Sequence, residues 1–396
     1  IIARGDGRSY FQKDEEARMK ALFTITLLFI AVLISGCLGS SSSSTAPTLA
    51  FLYVVGQGDN AIHALDEKST GDLFPLAVSS FPTIPRPVSI ALHPSRNFLY
   101  VPNETSNTVS GYTIDHTAGV LTPIGTALSP TPVCNPGVCS NPIGVAINSG
   151  GQFLFVLNQG SASPAVPASI SVFNIDQTRG LLSPASFITL TAPSPQFLAI
   201  SPTQGFLYVS NGTAGNISAF AIGTNGALTE LAGSPFSLGA GAVAAGVAID
   251  PKGQFLYAAD SANNAITSFN VAGGPPAAIG SFPAGTKPVA VTVDNTSSFV
   301  YSANEGSNDV SAFKTASGAL TQVAGSPYLV EPTGSIGTPQ PIFLTVDVSN
   351  TFLYVANFGS SSISAFGIKS SDGTLGLITN SPFNQGIAPL WMVSTK

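Results

Sequence analysis

From about Leu49 onward, apolar and polar residues alternate in short bursts, broken every few positions by Gly, Pro, Asn, Asp or Ser. A period of two with frequent breakers is the pattern of half-buried β-strands joined by tight turns. No later stretch sustains the 3.6-residue apolar spacing of an amphipathic helix, so essentially no helix is expected there. The bursts also repeat, and self-similarity at this period points to an array of equivalent units. A core of the form Leu-Tyr-Val recurs around Tyr53, Tyr100, Phe155, Tyr208, Tyr257, Tyr301 and Tyr354, at spacings of 44 to 55 residues. Three residues past each aromatic stand Gly56, Asn103, Asn158, Asn211, Asp260, Asn304 and Asn357. These residue types tolerate tight turns, so the column is read as the end of a strand.

A second column precedes the first, as in "PVSIALHP" from Pro87, "PIGVAINS" from Pro142 and "PVAVTVDN" from Pro288. A third alternates β-branched, Ser and aromatic residues, as in "NTVSGYTI" and "SSISAFGI", and a weaker fourth reads "GALTELAGSPF". Four strands per unit and seven units predict an all-β, seven-bladed β-propeller of four-stranded blades. The first unit lacks its leading strand, while the last such strand, residues 389–396, lacks a following "LYV". The C-terminal strand is therefore expected to complete the first blade and close the ring, which removes an open edge.

Composition narrows the function. Only 14 Lys plus Arg face 20 Asp plus Glu, a net charge of −6 with no basic cluster. Nucleic-acid binding needs a concentrated positive surface, so that class is set aside. Met19-Lys20, an apolar run of about 15 residues and Ile34-Ser35-Gly36-Cys37 read as a secretory signal ending in a bacterial lipobox. The run is short of the ~20 residues a spanning helix needs. The expected organisation is an upstream segment at 1–18, a lipoprotein signal at 19–36, a Ser-rich tether at 37–48 and the propeller at 49–396. Lipidation at Cys37 implies a protein tethered to a membrane by lipid, exported to the bacterial cell envelope and facing away from the cytoplasm; a monomer is expected. Export permits a disulfide, and Cys134 and Cys139 flank the turn-forming Asn-Pro-Gly. A local staple is the expectation, with a metal site the alternative that lacks further ligands nearby. No cofactor motif is present: the chain has no nucleophile elbow, phosphate loop or zinc-binding helix signature. Asp250, Asp294 and Asp347 recur at one repeat position and are read as turn formers rather than metal ligands.

The Tyr-Val-x-Asn signature at Tyr100–Asn103, Tyr208–Asn211 and Tyr354–Asn357 is similar to the YVTN propeller repeat. The longer unit resembles the seven-bladed lactonase family that includes 6-phosphogluconolactonase-like proteins, from about Leu49 to the C-terminus. Members credited with activity carry a Pro-His pair opening an inner strand, with Arg and Glu around the channel mouth. Here the residues after the strand-opening position are Val88, Ile143, Gln196, Ala245, Val289, Ile342 and Leu390, and none is His. His93 fills a turn slot held elsewhere by Asn148, Ser201, Asp250, Asp294 and Asp347. His63 falls in a third strand and His116 in an outer turn, so neither is expected at the mouth.

The loop entering each inner strand and the loop between strands two and three share one face, which the family analogy makes the ligand face. Arg86, Asn141, Ser194, Val243, Lys287, Gln340 and Ala388 precede the inner strands, and Glu104 and Glu305 follow the strand-two turn. Arg86, Glu104, Lys287 and Glu305 are the candidate chemical groups, with Asn141 and Gln340 as further mouth residues. An Arg or Lys could steady an oxyanion and a Glu could serve as base. Solvated loop charges are the plainer reading. The expectation is therefore a module that binds a small molecule or protein, with a hydrolase opening a sugar lactone as the alternative.

Overall fold

The computed structural model describes residues 46–125, 131–132, 140–162, 165–203, 205–332, 338–384 and 386–395. The signal segment, Cys37 and the Cys134–Cys139 pair lie outside them. Seven antiparallel sheets form seven blades, and a two-stranded hairpin (Ser161–Ala162 with Ala165–Val166) sits in a loop of the third. In four blades the outermost strand is split in two. Leu228–Glu230 and Phe236–Ser237, for example, both pair with Asn216–Ile222. That accounts for the weakness of the fourth sequence column. Among the described residues the one helical element is a single 3-10 turn, Gly212–Ala214. No helix there is long and apolar enough to cross a membrane.

The inner strands run, in ring order, Pro389–Thr395, Ala91–Leu92, Pro142–Ile147, Pro195–Ile200, Ala244–Ile249, Pro288–Val293 and Pro341–Val346. Each contacts the next and the last contacts the first, so the ring is closed. The closing strand pairs antiparallel with Thr48–Gly56 in the register Phe51 opposite Thr395 through Gly56 opposite Pro389. The first blade is thus built from both ends of the propeller, as the unpaired first and last units required.

The repeated "Phe-Leu-Tyr" is a clamp between blades. The Phe two residues before each repeat aromatic lies against a left-handed Gly in the next blade's outer turn. A Cβ on Gly180 would come within 2.6 Å of Phe98, and one on Gly373 within 2.3 Å of Phe299. The Tyr hydroxyl then reaches into the same turn. Tyr53 donates to Gly119 O (3.0 Å), Tyr100 to Gly180 O (2.8 Å) and Tyr208 to Gly274 O (2.6 Å). Tyr354 carries the clamp across the seam to Gly71 O at 3.4 Å. All four of these tyrosines are fully buried. Burial of one such ring contributes roughly 1.5–3 kcal/mol, and the hydroxyl keeps its hydrogen bond while doing so.

The seam also holds a buried acid. Glu67 is 0% exposed, and Ser394 of the closing strand donates to its Oε2 at 2.9 Å. Burial pushes the Glu67 carboxyl up to about 7, with repulsion from Asp347 adding to the effect.

Candidate functional site

Backbone geometry marks the mouth face before any side chain does. Arg86, Asn141, Ser194, Lys287 and Gln340, each immediately before an inner strand, have φ between 50° and 60°. A left-handed conformation costs a residue with a Cβ on the order of 1 kcal/mol, and such residues gather at functional sites. Here a neighbour holds four of them, all but Ser194. Asn60 Oδ1 accepts from Arg86 N (2.8 Å) and Asn107 Oδ1 from Asn141 N (2.8 Å). Asn264 and Asn308 do the same for Lys287 (2.8 Å) and Gln340 (2.9 Å). Each latch joins a turn of one blade to the inner strand of the next. One residue further in, the strand bulges, as between Pro288 and Ala290 and between Pro341 and Phe343. Bulges re-aim side chains, and these lie at Val289, Ile342 and their equivalents, a column apolar in every blade except at Gln196.

The carbonyls of Arg86, Asn141, Lys287 and Gln340 each accept the N–H of the residue that follows the strand-two Asn. Glu104 N donates to Arg86 O at 2.9 Å and Glu305 N to Lys287 O at 3.0 Å. That one bond places cation and carboxylate side by side on the same blade. Arg86 Nε lies 3.4 Å from Glu104 Oε2, and Lys287 Nζ lies 2.8 Å from Glu305 Oε2. The four charged candidates therefore form two separate dyads, on the second and sixth blades, rather than one cluster. The Lys–Glu pair is close. The Arg–Glu pair is looser, with Arg86 56% exposed and Glu104 18% exposed. Asn141 spends its amide on Gly160 O of its own blade (2.8 Å), so it braces the rim.

Beneath the rim lies a feature absent from the sequence reading. Trp391 stacks on Phe343 of the neighbouring seventh blade with ring centroids 4.3 Å apart. It also stacks on Phe197 of the fourth blade, across the ring, at 5.0 Å. All three occupy the third position of an inner strand, where the other blades carry Ser89, Gly144, Gly246 and Ala290. The three aromatic side chains meet across the ring and give the mouth an aromatic floor, while the small residues let neighbouring inner strands pack closely: a Cβ on Gly246 would come within 2.7 Å of Ala290. Aligning the inner strands by their opening Pro would have exposed this size pattern.

The Asn column is structural, for a reason other than turn formation. Asn103 ends its strand without a positive φ, and its Nδ2 donates to Thr108 (3.2 Å) and Ser110 (2.9 Å) on the next strand. Asn211 and Asn357 repeat the bridge to Ser218 (2.9 Å) and Ser364 (2.7 Å). The left-handed turn residue comes four positions later, at Asn107 and its equivalents. In the first blade Gly56 replaces the Asn and His63 replaces the Ser. The imidazole fills the vacated space, 3.2 Å from where a Gly56 Cβ would sit. His63 Nε2 lies 2.8 Å from Asp59 Oδ2, a charge contact on the mouth-side turn two strands out from the axis. His93 is buried in its turn, its Nδ1 against Ser95 (2.7 Å) and its Nε2 against Gly151 O (3.0 Å). Burial holds its pKa below the ordinary value. Asp294 Oδ1 accepts from Ser298 N (2.6 Å) and Phe299 N (2.7 Å), a turn cap as read from the repeat. Among the described residues no three His, Cys, Asp or Glu side chains gather as metal ligands would.

A family model described as a lactonase, seven-bladed β-propeller, matches residues 42–243 and 234–335. The chain belongs to this family. A curated relative, the 6-phosphogluconolactonase of Bacillus subtilis, is 32% identical over 136 residues, which is 34% of this chain. The match spans only 36% of that relative's length. Among solved structures, the periplasmic gluconolactonase of Pseudomonas aeruginosa is 18% identical to this chain. It has a TM-score of 0.72 and covers 88% of this chain and 99% of its own. A protein from Bacteroides fragilis gives a TM-score of 0.73 at 19% identity, over 90% of this chain and 100% of its own. Hydrazine synthase from Kuenenia stuttgartiensis shares the fold more distantly, with a TM-score of 0.58 at 17% identity, over 85% of this chain and 99% of its own. Likeness at these identities establishes the fold alone, and such different chemistries on one fold show why the site must carry the function.

Proposed function

We propose that the chain is a lactone hydrolase acting at the channel mouth, with Arg86 and Glu104 as its chemical pair. Family membership and the match to a 6-phosphogluconolactonase favour this reading over the binding module. The observation that carries it is the open Arg86–Glu104 dyad on a left-handed backbone at the rim. With contact at one nitrogen only, the guanidinium keeps donors for a substrate oxygen. Glu104 is sheltered yet reachable. In the proposed step, Glu104 takes a proton from a water that attacks the ring carbonyl, and Arg86 stabilises the oxyanion. The C–O bond to the ring oxygen then breaks, that oxygen receives the proton from Glu104, and the open hydroxy acid leaves.

The expected result is that the purified protein opens neutral sugar lactones. Glu104→Gln and Arg86→Met should each lower kcat/KM by about 10²-fold or more, the usual scale for losing a base or an oxyanion donor. Absence of hydrolysis over a panel of lactones would return the protein to the binding-module reading. On sequence grounds the proposal extends to an exported protein anchored through Cys37. Mass spectrometry of the mature N-terminus tests it, and an unlipidated Cys37 would overturn it.

A further inference from the structure

We infer that Trp391 is the substrate-orienting residue of the cup and sets its preference for a neutral, unphosphorylated lactone. The inference rests on the hydrolase reading and adds the chemistry of the substrate to it. The indole is flanked by Phe343 at 4.3 Å and Phe197 at 5.0 Å, with interplanar angles of 28° and 27°. Flanking rings leave the indole edge as the part a ligand can meet, and that edge carries the Nε1–H. The donor has no protein acceptor among the described residues, and it is not among their sealed-off polar atoms. Trp391 itself is only half-buried. A buried indole N–H normally finds a partner in the protein. This one has no protein partner among the described residues and is left for a ligand oxygen.

The charge pattern sets the ligand class. A phosphate dianion would need an unneutralised cation, and the charge of each rim cation is balanced by its own Glu, even where Arg86 keeps N–H donors free. The floor offers a single neutral donor among apolar rings. A cup with a few convergent polar groups over an apolar floor suits a compact, uncharged, hydroxylated ring. The three aromatics also block the axis, so ligand enters and leaves by the mouth face.

Trp391 is the chain's single tryptophan, so its emission reports on the floor without labelling. The test titrates the protein with the 1,5-lactam of gluconic acid, a neutral ring that cannot be hydrolysed, and with its 6-phosphate. The expected result is a saturable change in emission with the lactam and at least tenfold weaker binding of the phosphate. Trp391→Phe, which keeps the ring stack and removes the N–H, should raise KM for a neutral lactone about tenfold with little change in kcat. Hydrolysis that proceeds with no emission change and an unaltered KM in Trp391→Phe overturns the inference and leaves the hydrolase standing. Tight binding of the 6-phosphate overturns the neutral preference. Lactam binding without hydrolysis of any lactone supports the floor and removes the enzyme.

Discussion

The first blade and the others solve the same problem with different atoms. In the second, third, fourth, sixth and seventh blades an Asn at the end of the second strand bridges to Ser or Thr on the third. The first blade has Gly56, His63 and Asp59 instead, a smaller residue facing a larger one with a charged partner. It is also the blade assembled from both termini, and it supplies Trp391 to the axis. Where the repeat is kept, side chains serve the ring. Where it is broken, as at His63, Trp391, Arg86 and Glu104, the position has been released from the ring's common requirements.

Removing the closing strand is the largest test of the difference. Deletion of 389–396 should abolish a cooperative thermal transition, because it opens the first blade's inner edge and strips Trp391 from the floor. A truncated protein that melts like the full chain would show the other six blades to be self-sufficient.

Next comes the seam acid. Glu67 has a folded pKa of about 7 against an ordinary value of 4.5. Between those limits the folded chain holds a proton that the unfolded chain has released. The associated stability is therefore present below about pH 4.5 and lost as pH rises through 7. The size is about 3 kcal/mol, from 1.36 kcal/mol per pKa unit. Chemical unfolding of Glu67→Gln between pH 5 and 8 should show a flatter profile than the parent, and equal slopes would place the cause elsewhere.

The two networks can then be exchanged. Asn357→Ala should cost about 1–3 kcal/mol, because the Ser362 and Ser364 hydroxyls lose a buried partner. Gly56→Asn alone should also destabilise, since its Cβ would meet Asp59 at 2.8 Å and His63 at 3.2 Å. Adding His63→Ser should recover part of that loss, with a coupling of about 0.5–3 kcal/mol in a double-mutant cycle. Simple additivity would mean that the two positions do not compensate.

The smallest effect belongs to the second dyad. Lys287→Gln should change stability by less than about 1 kcal/mol, as exposed ion pairs do. It should also leave lactone turnover near the parental rate. A loss as large as that of Arg86→Met would reassign the chemistry to the sixth blade.

Seven repeats, four strands each and an orphan strand at either end determined the fold from the sequence, because alternation of period two and turn residues are local properties of the chain. The same alignment identified Arg86, Glu104, Lys287 and Glu305 as neighbours of the mouth, since loop position follows from repeat position. It did not reveal that they pair within blades: that depends on a left-handed backbone held by an Asn of the preceding blade. Nor did it show the role of the Asn column, whose partners lie seven residues away on another strand. The aromatic floor was the least visible. Phe197, Phe343 and Trp391 stand 146 and 48 residues apart in sequence order, and only closure of the ring brings them together over the axis. Local patterns fix strands and turns; contact across a closed ring depends on every blade between, and so it belongs to the tertiary structure alone.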